Sequence, residues 1–112
     1  MQFSQDQIDE LKQIAPRLSF IEDGGHSYFL MEKQILPEGC MPSEVDLLFS
    51  PGAHTGYTSR LFFAENITGC PNRSWNGTLR LLDKNWYAIS WSVPTGLRLV
   101  ETFIVHLNAF RK

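Results

Sequence analysis

At 112 residues, with 43% hydrophobic and only 20% charged residues, the chain has room for one ordinary core and enough apolar surface to order its backbone, which excludes disorder and a second domain. A net charge of -2, with Lys and Arg scattered along the chain, provides no cationic field and argues against nucleic acid as a partner. The opening MQFSQDQIDELKQ lacks the basic start and apolar run of a secretion signal, and no stretch approaches the ~20 apolar residues of a membrane span, so a cytoplasmic protein without membrane contact is expected.

In that compartment Cys40 and Cys70 are expected to be reduced, and the sequons at Asn66, Asn72 and Asn76 only mark a polar loop. Along the chain, Ser4 and Gln7 have the spacing of a capping box, and Ile8, Leu11 and Ile14 share one face of a helix that Pro16 ends, at about 4–14. From Leu18 the pattern becomes β-rich: LSFIE and SYFLM flank Asp23-Gly24-Gly25-His26, a hairpin signal. The turn PEGCMP precedes a third strand at about 44–49, and PGAHTGYTS precedes RLFFA, apolar enough for a strand buried on both faces.

Residues 65–77 read as a long polar loop. Residues 78–82 and 86–93 read as two further strands joined by Asp83-Lys84-Asn85, since their apolar residues alternate. After Gly96, Leu99, Val100, Phe103, Ile104, Leu107 and Phe110 recur at helical spacing. The whole is an α+β plan: an N-terminal helix, an antiparallel β-meander and a C-terminal helix, with both helices on one face.

Several strings strengthen a comparison. LPEGCMPSEVDLLFSP carries Pro-x-Gly-Cys-x-Pro-x-Glu-Val-Asp-Leu-Leu, and HTGYTSRLFF, Trp75-Asn76 and NWYAISWSV follow it. Over roughly residues 18–110 these resemble a bacterial family with the ubiquitin-conjugating (UBC-like) fold, encoded beside ubiquitin-like, ThiF-type adenylating and JAB-type peptidase proteins; Cys40 takes the place of that family's Tyr. The resemblance implies a UBC-like fold and a part in acyl transfer, in which a ThiF-type adenylating enzyme activates a ubiquitin-like protein and this chain carries or positions it. Gene sets of that kind resemble antiphage defence systems. In the standard UBC pattern the nucleophilic cysteine follows Gly-x-Ile, and the matching run here is Gly77-Thr78-Leu79-Arg80, so Arg80 stands at the cysteine position.

Cys70, earlier in the loop, is then the candidate carrier thiol; it would need thiolate character, since an ordinary thiol titrates near ~8.5. Asn72 and Asn76 lie where an oxyanion donor is wanted, with Asn76 beside the Gly77 run. His54 is the candidate general base, as a loop imidazole with a pKa near ~6.5. Tyr57, Trp75, Trp86 and Trp91 supply aromatic surface of the kind enriched in binding hot spots. His106, on the C-terminal helix, is a lesser candidate, solvent-facing or packed. No close His or Cys pair has zinc spacing, so neither metal nor cofactor is expected, and no Gly-x-Ser-x-Gly elbow supports a serine hydrolase. The alternative function is a noncatalytic module that docks the adenylating enzyme and the ubiquitin-like protein; a small hydrolase or an assembly protein is a third class.

Overall fold

The computed structural model describes residues 3–52, 57–69, 75–89 and 91–111. Helix α1 (Gln5–Ile14) begins under Ser4, whose hydroxyl accepts from the Gln7 N–H at 3.3 Å, and it buries Ile8 and Leu11. The Gln7 side chain, expected to reach back to Ser4, instead accepts at 2.8 Å from the N–H of Leu99, the first residue of α2 (Leu99–Asn108). One glutamine thus satisfies an orphan donor at the start of the second helix. Beside it, Arg98 and Glu10 form a surface ion pair at 2.8 Å between the two helices.

Strands β1 (Leu18–Asp23) and β2 (His26–Ile35) form the expected hairpin. Its two loop residues, Gly24 and Gly25, have φ of 57° and 83°, the positive values a type I′ turn demands. Next come β3 (Glu44–Ser50) and β4 (Arg60–Phe63), each antiparallel to its predecessor. A bulge between Met31 and Gln34 interrupts the β2–β3 register, with Lys33 at φ 50° and its N–H held by the Asp46 carboxylate at 2.9 Å. Beyond the bulge Gln34 is turned inward, and its amide donates at 3.0 Å to the carbonyl of Ile14, closing the C-terminal end of α1.

The last two strands, β5 (Trp75–Leu81) and β6 (Lys84–Ile89), form a hairpin, but its order in the sheet is inverted. Among the described residues the sheet runs β1-β2-β3-β4-β6-β5, so the later strand pairs with β4 and the earlier one lies at the edge. The cause is legible in burial: all four residues of β4 are buried, so its free edge needs an apolar partner. In β6 Trp86, Ala88 and Ile89 are buried, whereas Asn76, Thr78 and Arg80 of β5 are exposed.

This corrects the fold expected from the family resemblance. A UBC-like α+β meander requires β4 and β5 to be neighbours and its helices to carry much of the structure. The described residues instead form a sheet-dominated molecule, with six antiparallel strands, two helices of ten residues each and a non-sequential last hairpin. Trp75, Asn76 and Gly77, expected in the 65–77 loop, belong to β5. Among the described residues no helix is long and apolar enough to cross a membrane.

The sheet buries both faces. On one, Phe29, Met31, Leu47, Phe49, Leu61 and Phe63 pack against Leu11 of α1 and Phe103 and Phe110 of the C-terminal segment. The other holds Tyr28, Leu48, Phe62, Leu81, Trp86 and Ala88, a cluster built from strand residues alone. The Trp86 indole N–H donates to the Leu81 carbonyl at 2.9 Å, which permits its complete burial.

The β5–β6 turn is a weak point with a defined remedy. Leu81 pairs with Lys84, leaving Leu82 and Asp83 as a two-residue loop at φ 56° and 59°. Positive φ at both positions favours Asn-Gly, and each L-residue with a Cβ held there costs on the order of 1 kcal/mol. Leu82→Asn with Asp83→Gly should therefore raise the midpoint of urea unfolding by the equivalent of about 1 kcal/mol at unchanged m, Leu82 being half exposed with little burial to lose. A fall in the midpoint would show that the turn is not of this type.

Candidate functional site

The segment Tyr57–Arg60, leading into β4, carries the densest polar arrangement in the described chain. Thr58 donates its hydroxyl to the Val93 carbonyl at 2.8 Å, which ties the segment to the chain before α2. The next two side chains lie on opposite faces of the sheet: Ser59 meets α2, and Arg60 lies on the side of Phe62.

Ser59 Oγ and His106 Nε2 are 2.8 Å apart, each residue only 4% exposed. The imidazole also meets the Phe49 ring edge-on, with centroids 6.0 Å apart. Burial, and then the positive charge of Arg60, lower the His106 pKa from 6.5 to about 4, so the ring is neutral at pH 7. The distance suits a nucleophile and its base, and a cavity of about 130 Å³ touches Ser59, Thr58, Pro94 and Thr102. A general base must become a cation, however, and both burial and Arg60 oppose that here. The pair is a polar tie between α2 and the segment leading into β4.

On the opposite face Arg60, also 4% exposed, is held by three kinds of contact. Its Nη2 donates to Asn76 Oδ1 at 2.7 Å and to the Ile89 carbonyl at 3.3 Å, and its guanidinium lies 4.1 Å from the centroid of the Tyr57 ring. Asn76 Nδ2 in turn donates to the Tyr57 hydroxyl at 3.2 Å. Burial lowers the Arg60 pKa from its ordinary value, with Tyr57 acting in the opposite direction. Because an arginine offers only donors, the Asn76 carbonyl oxygen must face it and the amide NH₂ must face Tyr57.

Two features of β5 shape this arrangement. Trp75 pairs with Ile89 and Gly77 with Ala88, so Asn76 is the extra residue of a β-bulge, which re-aims its side chain. Gly77 then leaves the space that the guanidinium fills: a Cβ there would lie 2.7–2.8 Å from the end of Arg60.

The residues singled out in the sequence are distributed unevenly. Tyr57 and Asn76 are brought together, through Arg60. Cys70, His54 and Asn72 lie outside the described residues. Arg80, at the position where the family resemblance puts the cysteine, is exposed on edge strand β5 and donates to Asn85 at 3.2 Å. Cys40 is buried, its sulfur 4.0 Å from the Phe110 carbonyl.

The aromatic set divides as well. Trp86 lies wholly inside the second cluster. Trp75 is half-buried edge-on to Phe63, with centroids 5.5 Å apart, and half-buried Trp91 donates to the Val105 carbonyl at 3.2 Å. Sequence reasoning missed Arg60 and Ser59 and gave His106 little weight. The available signal was a cation opening the apolar run RLFF, and a histidine three residues from both Phe103 and Ala109 on the buried stripe of α2.

The His106 environment makes stability depend on pH. The folded pKa, about 4, lies below the ordinary 6.5, so between these values the unfolded chain binds the additional proton and stability falls as pH falls. Acidification from pH 7 to pH 4 should cost on the order of 3 kcal/mol through this residue, at up to about 1.4 kcal/mol per pH unit. His106→Gln, compared with wild type in urea titrations across that range, should flatten this component; parallel profiles would mean the imidazole is not buried neutral. Comparison of the chain with protein-family models, curated proteins and solved structures found no match in any of the three.

Proposed function

We propose that the chain is a positioning component of a ubiquitin-like protein conjugation pathway, holding the activated C-terminal carbonyl of a ubiquitin-like protein during acyl transfer to an amine. The pathway is suggested by the strings LPEGCMPSEVDLLFSP, HTGYTSRLFF and NWYAISWSV. The observation that carries the reading is the Asn76 amide, exposed on edge strand β5 with its orientation fixed and a tyrosine hydroxyl beside it. Acyl transfer builds negative charge on the carbonyl oxygen, and oriented amide and hydroxyl donors stabilise that charge without reorganising. In this reading Asn76 Nδ2 and the Tyr57 hydroxyl meet the oxygen, and Cys70 is the carrier thiol if the chain itself bears the acyl group.

A second reading is a noncatalytic docking module for the adenylating enzyme and the ubiquitin-like protein. It draws on the groove of about 490 Å³ lined by Pro37, Glu38, Gly39 and Arg111, and on the nearby Met41, 66% exposed. Exposed methionine is an adaptable contact residue.

The readings separate in a reconstituted reaction containing ATP, a ThiF-type adenylating enzyme and the ubiquitin-like protein it activates. Asn76→Ala should slow transfer to lysine by about 100-fold while leaving binding of the ubiquitin-like protein intact. Transfer at the wild-type rate by Asn76→Ala would defeat the positioning role. A thiol-sensitive adduct lost in Cys70→Ser would identify the carrier; its absence from the wild-type chain would leave docking or positioning without a covalent link.

A further inference from the structure

We infer that Arg60 is a positioning residue that acts through Asn76, orienting and polarising the Asn76 amide from beneath the sheet, and that Gly77 is required because it makes room for the guanidinium. The inference rests on the reading of Asn76 as a donor to a carbonyl oxygen.

The chemistry follows from the donor count. Asn76 Oδ1 accepts from Arg60 at 2.7 Å, a short charge-assisted bond. Drawing electron density toward that oxygen makes the two Nδ2 protons more positive, so the amide becomes a stronger donor on its exposed side. The cation itself is 4% exposed, so its field is less screened by water than that of a surface arginine. Charge developing on an oxygen at Asn76 would therefore meet an oriented donor backed by a fixed cation.

What separates a positioning arginine from a structural one is where its bonds lead. The Ile89 carbonyl, at 3.3 Å, and the Tyr57 and Phe62 rings meet the guanidinium, and its Nε has no hydrogen-bond partner among the described residues. Its 2.7 Å bond nevertheless goes to Asn76, an exposed side chain on the edge strand. Gly77 points the same way, since glycine weakens a strand interior and any side chain at this position would strike the guanidinium. The bulge at Asn76 completes the set by turning the amide toward it.

The test uses Arg60→Met, Arg60→Lys and Gly77→Ala in the full chain, with two readouts. The first is the ¹H–¹⁵N side-chain amide signal of Asn76 in the protein alone. Wild type should show two well-separated, slowly exchanging protons; Arg60→Met and Gly77→Ala should move them toward the values of a solvated asparagine, and Arg60→Lys should restore part of the difference. Gly77→Ala displaces the guanidinium without removing it, and so carries the test if Arg60→Met does not fold. The second readout is transfer in the reconstituted reaction: Arg60→Met should lower kcat about tenfold with KM unchanged, and should add nothing in an Asn76→Ala background. Unmoved Asn76 signals in both Arg60→Met and Gly77→Ala, or an equal loss of kcat with and without Asn76, would overturn the inference. If Asn76→Ala alone leaves transfer untouched, the proposed function fails, and the amide signals still decide whether Arg60 orients Asn76.

Discussion

The complete burial of β4 is the constraint on which the rest of the molecule depends. Arg60, Leu61, Phe62 and Phe63 have no solvent face, so the strand needs a packed layer on each side and a hydrogen-bonded neighbour on each edge. The two helices meet the first demand on one face, and a cluster of strand residues around Trp86 meets it on the other. Strand β3 fills one edge. The second edge selects β6, because only that strand of the last hairpin has the apolar residues to lie in the interior. The inverted hairpin follows, and with it the exposed position of the polar strand β5.

The start of this strand and the residue before it organise the polar chemistry. Ser59 and Arg60 are adjacent in sequence and lie on opposite faces, so the sheet holds a neutral Ser–His tie on one side and a cation cradled by aromatic rings on the other. They are electrostatically coupled, since the charge of Arg60 is one reason the His106 imidazole stays neutral. Ser59, His106 and the Arg60 Nη2 each find a hydrogen-bond partner, as burial at this depth demands, while the buried Arg60 Nε has none among the described residues.

The contrast between the family resemblance and the observed topology has a physical explanation in the string LPEGCMPSEVDLLFSP. Within it Leu36, Cys40, Val45, Leu47, Leu48 and Phe49 are buried, and the Met41–Pro42 peptide bond is cis. Most of what the string specifies is therefore a Pro-rich turn feeding a strand buried on both faces, a local requirement that more than one arrangement of sheet and helices can meet. Such a string describes a strand and its entry. It does not determine which strand lies next to which.

Local chemistry was enough to read the elements from the sequence. The Ser4 cap, the Gly24-Gly25 turn, the doubly buried RLFF run and the apolar stripe of α2 each depend on neighbours within a few residues, and each is found close to its expected place. Tyr57 and Asn76, singled out in the sequence as an aromatic contact residue and a loop amide, lie together beside Arg60. Long-range pairing lay beyond local patterns: β4 passes over β5 to β6, Gln7 leaves Ser4 for Leu99, and bulges turn Gln34 and Asn76 to new directions. Arg60 shows the difference most clearly. Its sequence neighbours predict only a charged residue at the mouth of a strand, whereas its burial, its stacking on Tyr57 and its hold on Asn76 exist only because the tertiary fold brings an edge strand with a glycine at the right position over it.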